Sequence, residues 1–176
     1  GPVESGTTAY IGSNTIVTAC NDISVNADST VQAQVDVGGE AFGLIGLGGS
    51  VGIAKLNNRT DAFIGSNAQV TAGGDLEVIS NGHVLPSHAI TYIGQEGALV
   101  GSLGAVYSKL HSDNDASAFI GSNSIIISGG NINVLNDTSS NLYVDSEGDS
   151  GFIHGLVVAG LSYADARETG TVQTYL

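Results

Sequence analysis

Apolar and polar residues alternate along short runs of this chain, and no stripe of helical period survives inspection. Ile23 and Val25 flank Ser24, Leu76 and Val78 flank Glu77, and Ile132 and Val134 flank Asn133. Alternation over a few residues predicts half-buried strands. The runs are bounded by Gly-Ser-Asn or by Gly-Gly-Asp and its variants, residue types that tolerate positive φ and so suit corners. One stretch therefore predicts three short strands and two bends: "AFI" from Ala62, "AQVTA" from Ala68 and "DLEVIS" from Asp75. Its inward residues would be Ala62, Ile64, Val70, Ala72, Leu76 and Val78.

The same stretch occurs three times. "AYIGSN", "AFIGSN" and "AFIGSN" place Ile11, Ile64 and Ile120 at spacings of 53 (64 − 11) and 56 (120 − 64) residues. Between the copies lies a second recurring run, glycine-rich and alternating. In the first of these, Ile45, Leu47, Val51 and Ile53 share one parity and Gly46, Gly48, Ser50 and Gly52 the other. A strand with one bare face can approach a neighbour closely on that side. Strands this short cannot bury their apolar faces alone, but stacked repeat upon repeat they can. The prediction is an all-β solenoid of about 55-residue repeats, each making two or three coils of roughly 18–28 residues. Repeats fall near 7–59, 60–115 and 116–170, with a partial one at 171–176. Gly1-Pro2 reads as the scar of tag removal and is set aside. The word "IGSN" then marks one corner, with Ile inward, Gly allowing the bend and Asn bonding backbone. A ligand-binding row of Ser13, Ser66 and Ser122 is the weaker alternative.

Composition narrows the function. Four Lys and Arg oppose 17 Asp and Glu, for a formal charge of −13. Nucleic acid and anionic membrane surfaces are poor partners for such a chain. The most apolar run, 41–54, is too short and glycine-rich to span a bilayer, so no membrane insertion is expected. The single cysteine, Cys20, cannot form an internal disulfide, and it aligns with a turn glycine, Gly73.

"LNNRTDAFIGSNAQVTAGGDLEV" (56–78) is the most typical stretch of the repeat. It resembles the repeats of very large exported bacterial proteins, the fusobacterial leukotoxin and filamentous-haemagglutinin-like, two-partner-secreted or autotransported passengers. The resemblance covers the chain from about Thr7 to Leu176. It implies a right-handed parallel β-helix, a secreted or cell-surface location and a part in host contact.

Candidate chemistry is sparse. Asp145, Glu147 and Asp149 alternate in "DSEGDSG" and could converge on a hard cation such as calcium were the segment an extended loop. Asp113 and Asp115 offer a similar pair. Neither completes a known calcium loop, and solvated acidic turns explain both as well. The histidines, His83, His88, His111 and His154, show no metal-ligand spacing, and His83 and His88 suit a loop around Pro86. No nucleophile or phosphate-loop motif is present. The expected function is non-catalytic: a structural and binding segment of an adhesin or leukotoxin-like virulence protein, needing no cofactor. It would display loops near 81–96, 111–116 and 136–150 to a host-cell or matrix partner. Exposed end coils would allow end-to-end self-association. The alternative is a polysaccharide lyase, glycosidase or carbohydrate-binding module on the same scaffold, which needs carboxylates gathered across neighbouring strands.

Overall fold

In a computed structural model, described over residues 3–40, 43–94, 98–149 and 157–175, the chain is all-β. The strands in chain order are β1 (Val3–Ile11), β2 (Ile16–Ala19), β3 (Ile23–Val31), β4 (Gln34–Glu40), β5 (Gly43–Ile64) and β6 (Gln69–Ala72). They continue as β7 (Leu76–Gly94), β8 (Ala98–Ile120), β9 (Ile125–Ser128), β10 (Ile132–Asp149), β11 (Val157–Thr169) and β12 (Val172–Tyr175).

All pairing is parallel and joins equivalent parts of successive repeats. The first sheet runs β1-β5-β8-β11, with β12 also on β8; the second is β2-β6-β9; the third is β10-β7-β3, with β4 also on β7. Ile11 pairs with Ile64 and Ile64 with Ile120. Ile23 pairs with Leu76 and Ile132 with Leu76 from the other side. One repeat therefore supplies one layer, where the spacing pattern predicted two or three coils per repeat. The reason is strand length. The glycine-rich run and the "AFI" segment are not separate strands but one, β5, of 22 residues, and β8 and β10 are similarly long.

The core is apolar at two places and polar between them. The three sheets close around Ile64, Val70, Leu76 and Val78, all fully buried, with Ala62 and Ala72 between them. These are the six inward residues the alternation predicted. A second cluster gathers Val31, Leu56, Val84, Ala89 and Leu110. Between the two lies a buried ladder. Ser29 Oγ donates to Asn58 Oδ1 at 2.6 Å, Asn58 Nδ2 to Asn114 Oδ1 at 3.0 Å, and Asn114 Nδ2 to the Gly82 carbonyl at 3.1 Å. Buried amides are tolerated because each finds a partner in the next layer.

In β5 the bare parity faces inward and the bulky one outward. Ser50, Gly52 and Ala54 are buried, whereas Leu47 is 71% and Ile53 60% exposed. The side chain of Ile45 lies outside those described. At Gly52 the third sheet lies close: a Cβ there would press on Thr91 Cγ2.

The corners reveal why the shared word persists. Asn14, Asn67 and Asn123 take φ of 57°, 58° and 59°, the left-handed region that Asn enters more readily than other side-chain-bearing residues. The glycines before them do not. Gly65 and Gly121 are required by proximity, since a Cβ on either would collide with the backbone of Ser13 or Ser66 in the layer beneath. The bend thus belongs to Asn, and glycine lets one layer lie on the next.

Candidate functional site

The outward face of β5, β8 and β11 is where chemically distinct side chains are gathered. All four Lys and Arg of the chain, Lys55, Arg59, Lys109 and Arg167, lie on these three strands. Register sets Lys55 beside His111 and His111 beside Arg167, and it sets Val51, Tyr107 and Tyr163 in line. The rings of Tyr107 and Tyr163 stack at 5.2 Å. Farther along, Tyr10, Phe63, Phe119 and Tyr175 form one column with centroid separations of 4.8–5.3 Å. Such columns follow from in-register parallel pairing, which places like residues over one another.

Between the basic residues and the aromatic column is a shallow cavity of about 220 Å³ bordered by Arg59, Asp61, Asp115, Ser117 and Gln173. Its carboxylates are engaged by the fold. Asp61 Oδ2 accepts from Arg59 Nε at 2.8 Å, and its other oxygen accepts from Ser117 Oγ in the next layer. Asp115 Oδ1 accepts the Thr171 amide at 2.8 Å, and Asp113 Oδ1 accepts from Thr169 Oγ1 at 3.3 Å. Each of these acids ties one layer to the one above. The same device recurs at the Gly-Gly-Asp turn, where Asp22 Oδ1 takes the Asp75 amide and Asp75 Oδ1 the Asn131 amide.

The predicted candidates are distributed as follows. Asp145 stands in β10, and its Oδ2 accepts from the Tyr143 hydroxyl at 2.9 Å. Glu147 and Asp149 continue the same strand, paired with Tyr92 and Gly94, and their side chains lie outside those described. The segment through Asp149 is thus strand where a loop was expected. Alternate positions on a strand lie about 6.7 Å apart along the backbone. Among the described residues, no three His, Cys, Asp or Glu come together as a metal-ligand group.

Asp113 and Asp115 sit on β8 and not on a loop. His83 and His88 are likewise within β7, around Pro86. His83 Nδ1 meets Ser139 Oγ at 2.9 Å, and His88 Nε2 lies 3.2 Å from Asp36. His111 is in β8 with its Nδ1 buried and unpartnered, and His154 lies outside the described residues. Cys20 is exposed and free at its turn. Ser66 and Ser122 do share a row at the corner, with hydroxyls 3.4 Å apart.

Of the stretches expected as variable loops, 81–96, 111–116 and 136–150, the described parts are strand throughout, and residues 95, 96 and 150 lie outside the described residues. Any contact surface they form is set by outward side chains on a strand face. Alternation alone could not place the basic residues and stacked rings together, because that requires the register between layers. Among the described residues, no helix is long and apolar enough to cross a membrane. No known protein family, curated protein or solved structure matches the chain.

Proposed function

We propose that the chain is a right-handed parallel β-helix with one repeat per turn. We read it as a non-catalytic shaft segment of a secreted or cell-surface bacterial adhesin or leukotoxin-like protein. The supporting observation is the register: the same word meets itself in three successive layers. Each added repeat then lengthens the stack by about 4.8 Å, the spacing of paired strands. Right-handedness follows the rule for parallel crossover connections. Rigid length and a regular outer face suit a part that holds a contact surface away from a cell. The face of β5, β8 and β11, with its cationic, aromatic and apolar residues, is the surface assigned to host contact.

The test is binding of the labelled chain to leukocytes and to immobilised matrix proteins. Saturable binding that falls at least about tenfold on combining Lys55→Glu, Lys109→Glu and Arg167→Glu supports the assignment. Binding indifferent to those changes, or absent from every surface, overturns it.

A further inference from the structure

We infer that the outer face of β5 and β8 pairs side by side with the same face of a second copy of the chain, each copy's leucine ridge seated in the other's glycine-alanine trough. This goes beyond the shaft reading and needs only the parallel pairing already described.

The middle row carries the observation. β8 has β5 along one edge and β11 along the other, yet Leu103 between them is 52% exposed. That exposure is sideways, out of the face of the sheet, and owes nothing to the ends of the stack. Leu47 stands beside Leu103 in register and is exposed too, so the pair makes a ridge along the stack. Two residues on, Gly49 and Ala105 make the neighbouring column, which is a trough. Ridge and trough border a shallow cavity of about 370 Å³, with Leu161 of β11 at one side. Beneath this surface the strands bury only small residues, among them Ser50, Gly52 and Ser108. Bulk that points away from its own core contributes to burial only when something covers it.

The shape is complementary to itself. Adjacent columns lie about 6.7 Å apart. A two-fold axis parallel to the stack, midway between ridge and trough, turns each ridge onto the other copy's trough. Such a contact is isologous and closes at two copies. It holds row by row, because each row sets one large residue beside one small one. Leu47 goes with Gly49 and Leu103 with Ala105, and on β11 the order reverses, Ala159 with Leu161. Under the same axis the reversed row still places large on small. The axis also keeps the rows of both copies at equal height, so their common rise of about 4.8 Å matches throughout. A partner without that rise falls out of step after a row or two.

Charge selects the same face. β3, β4, β7 and β10 carry eight carboxylates and no Lys or Arg, so two copies repel through that sheet. On the ridge side, Lys109 and Asp165 stand two columns beyond the trough and neutralise each other at 3.8 Å.

Sedimentation velocity of the whole chain over a dilution series tests the pairing. A concentration-dependent dimer that stops at two copies is expected. Ala105→Leu fills the trough in the middle row and should weaken the dimer at least about tenfold, although it adds apolar surface. Combining Leu103→Ala with Ala105→Leu gives that row the order found on β11 and should restore the dimer. A monomer at every concentration overturns the inference. So does a dimer strengthened by Ala105→Leu, which marks an apolar contact without shape. Growth beyond two copies that ignores both changes is end-to-end stacking and overturns it as well. Flotation with phosphatidylcholine vesicles covers the remaining occupant: a chain that floats with lipid and is monomeric without it binds bilayers by this face, not a second copy. No host surface enters these measurements, so their failure leaves the host-contact reading standing, and failure of leukocyte and matrix binding leaves the dimer standing.

Discussion

Single residues in this chain act mainly through the layer below them. Gly12 and Gly65 hold the same place in the shared word, yet their surroundings differ. A Cβ on Gly12 meets only Thr15 Cγ2, at 3.5 Å, an ordinary contact, while one on Gly65 runs into the Ser13 backbone. Gly65→Ala is expected to cost about 2–3 kcal/mol by forcing backbone apart. Gly12→Ala should stay within about 0.5 kcal/mol of the parent, because reduced freedom of the unfolded chain offsets what little it loses. Urea unfolding of the two variants measures the difference, and equal costs would contradict the proximity argument. The asparagines ask for something else. Asn67 is held at φ 58°, so Asn67→Val should lose about 1–2 kcal/mol to steric crowding in the left-handed region. Asn67→Gly should lose far less, measured the same way.

Strands were more legible than their lengths. Period two placed Ile64, Val70 and Leu76 inward, because burial on one face of a strand is a local property that the sequence itself records. The same parity, carried upstream through Ala62 and Thr60, puts Asn58 inside, against the ordinary preference of Asn for turns. What makes Asn58 tolerable is Asn114, 56 residues away, and no local pattern contains that partner. The acidic trio at 145–149 could converge on a cation only on an extended loop, whereas pairing with β7 draws it into a strand. Two positions of opposite parity on β5 test the burial argument. Leu56→Ala, at a fully buried site, should destabilise by about 2–5 kcal/mol. Ile53→Ala, on the outward face, should change unfolding free energy by under about 0.5 kcal/mol. Comparable losses at both would mean that β5 is not oriented as described.

Across the whole molecule, charge is arranged more unevenly than its total of −13 conveys. β3, β4, β7 and β10 carry Asp28, Asp36, Glu40, Glu77, Asp137, Asp145, Glu147 and Asp149 and no Lys or Arg. The cations all lie on the opposite sheet, where Arg59 and Lys109 are spent on Asp61 and Asp165. If a divalent ion relieved the acidic side at Asp145, Glu147 and Asp149, a chelator would lower the melting temperature. The strand geometry of the trio argues instead for an unchanged value with EDTA or with added calcium, and a chelator-dependent fall would establish the cation site. Without such an ion, like charges on one sheet are held together only by the packing beneath them, so screening should help. Raising sodium chloride from about 0.01 M to about 1 M shortens the screening length from about 30 Å to about 3 Å. That removes repulsion between carboxylates on either side of β7, such as Asp28 and Asp137 flanking Asn81. For a chain of this size each kcal/mol recovered appears as about 2–4 °C in melting temperature. A rise of that order with sodium chloride, seen in thermal scans and reproduced with potassium chloride, is expected. A fall would mean that the ion pairs on β5, β8 and β11 outweigh the repulsion.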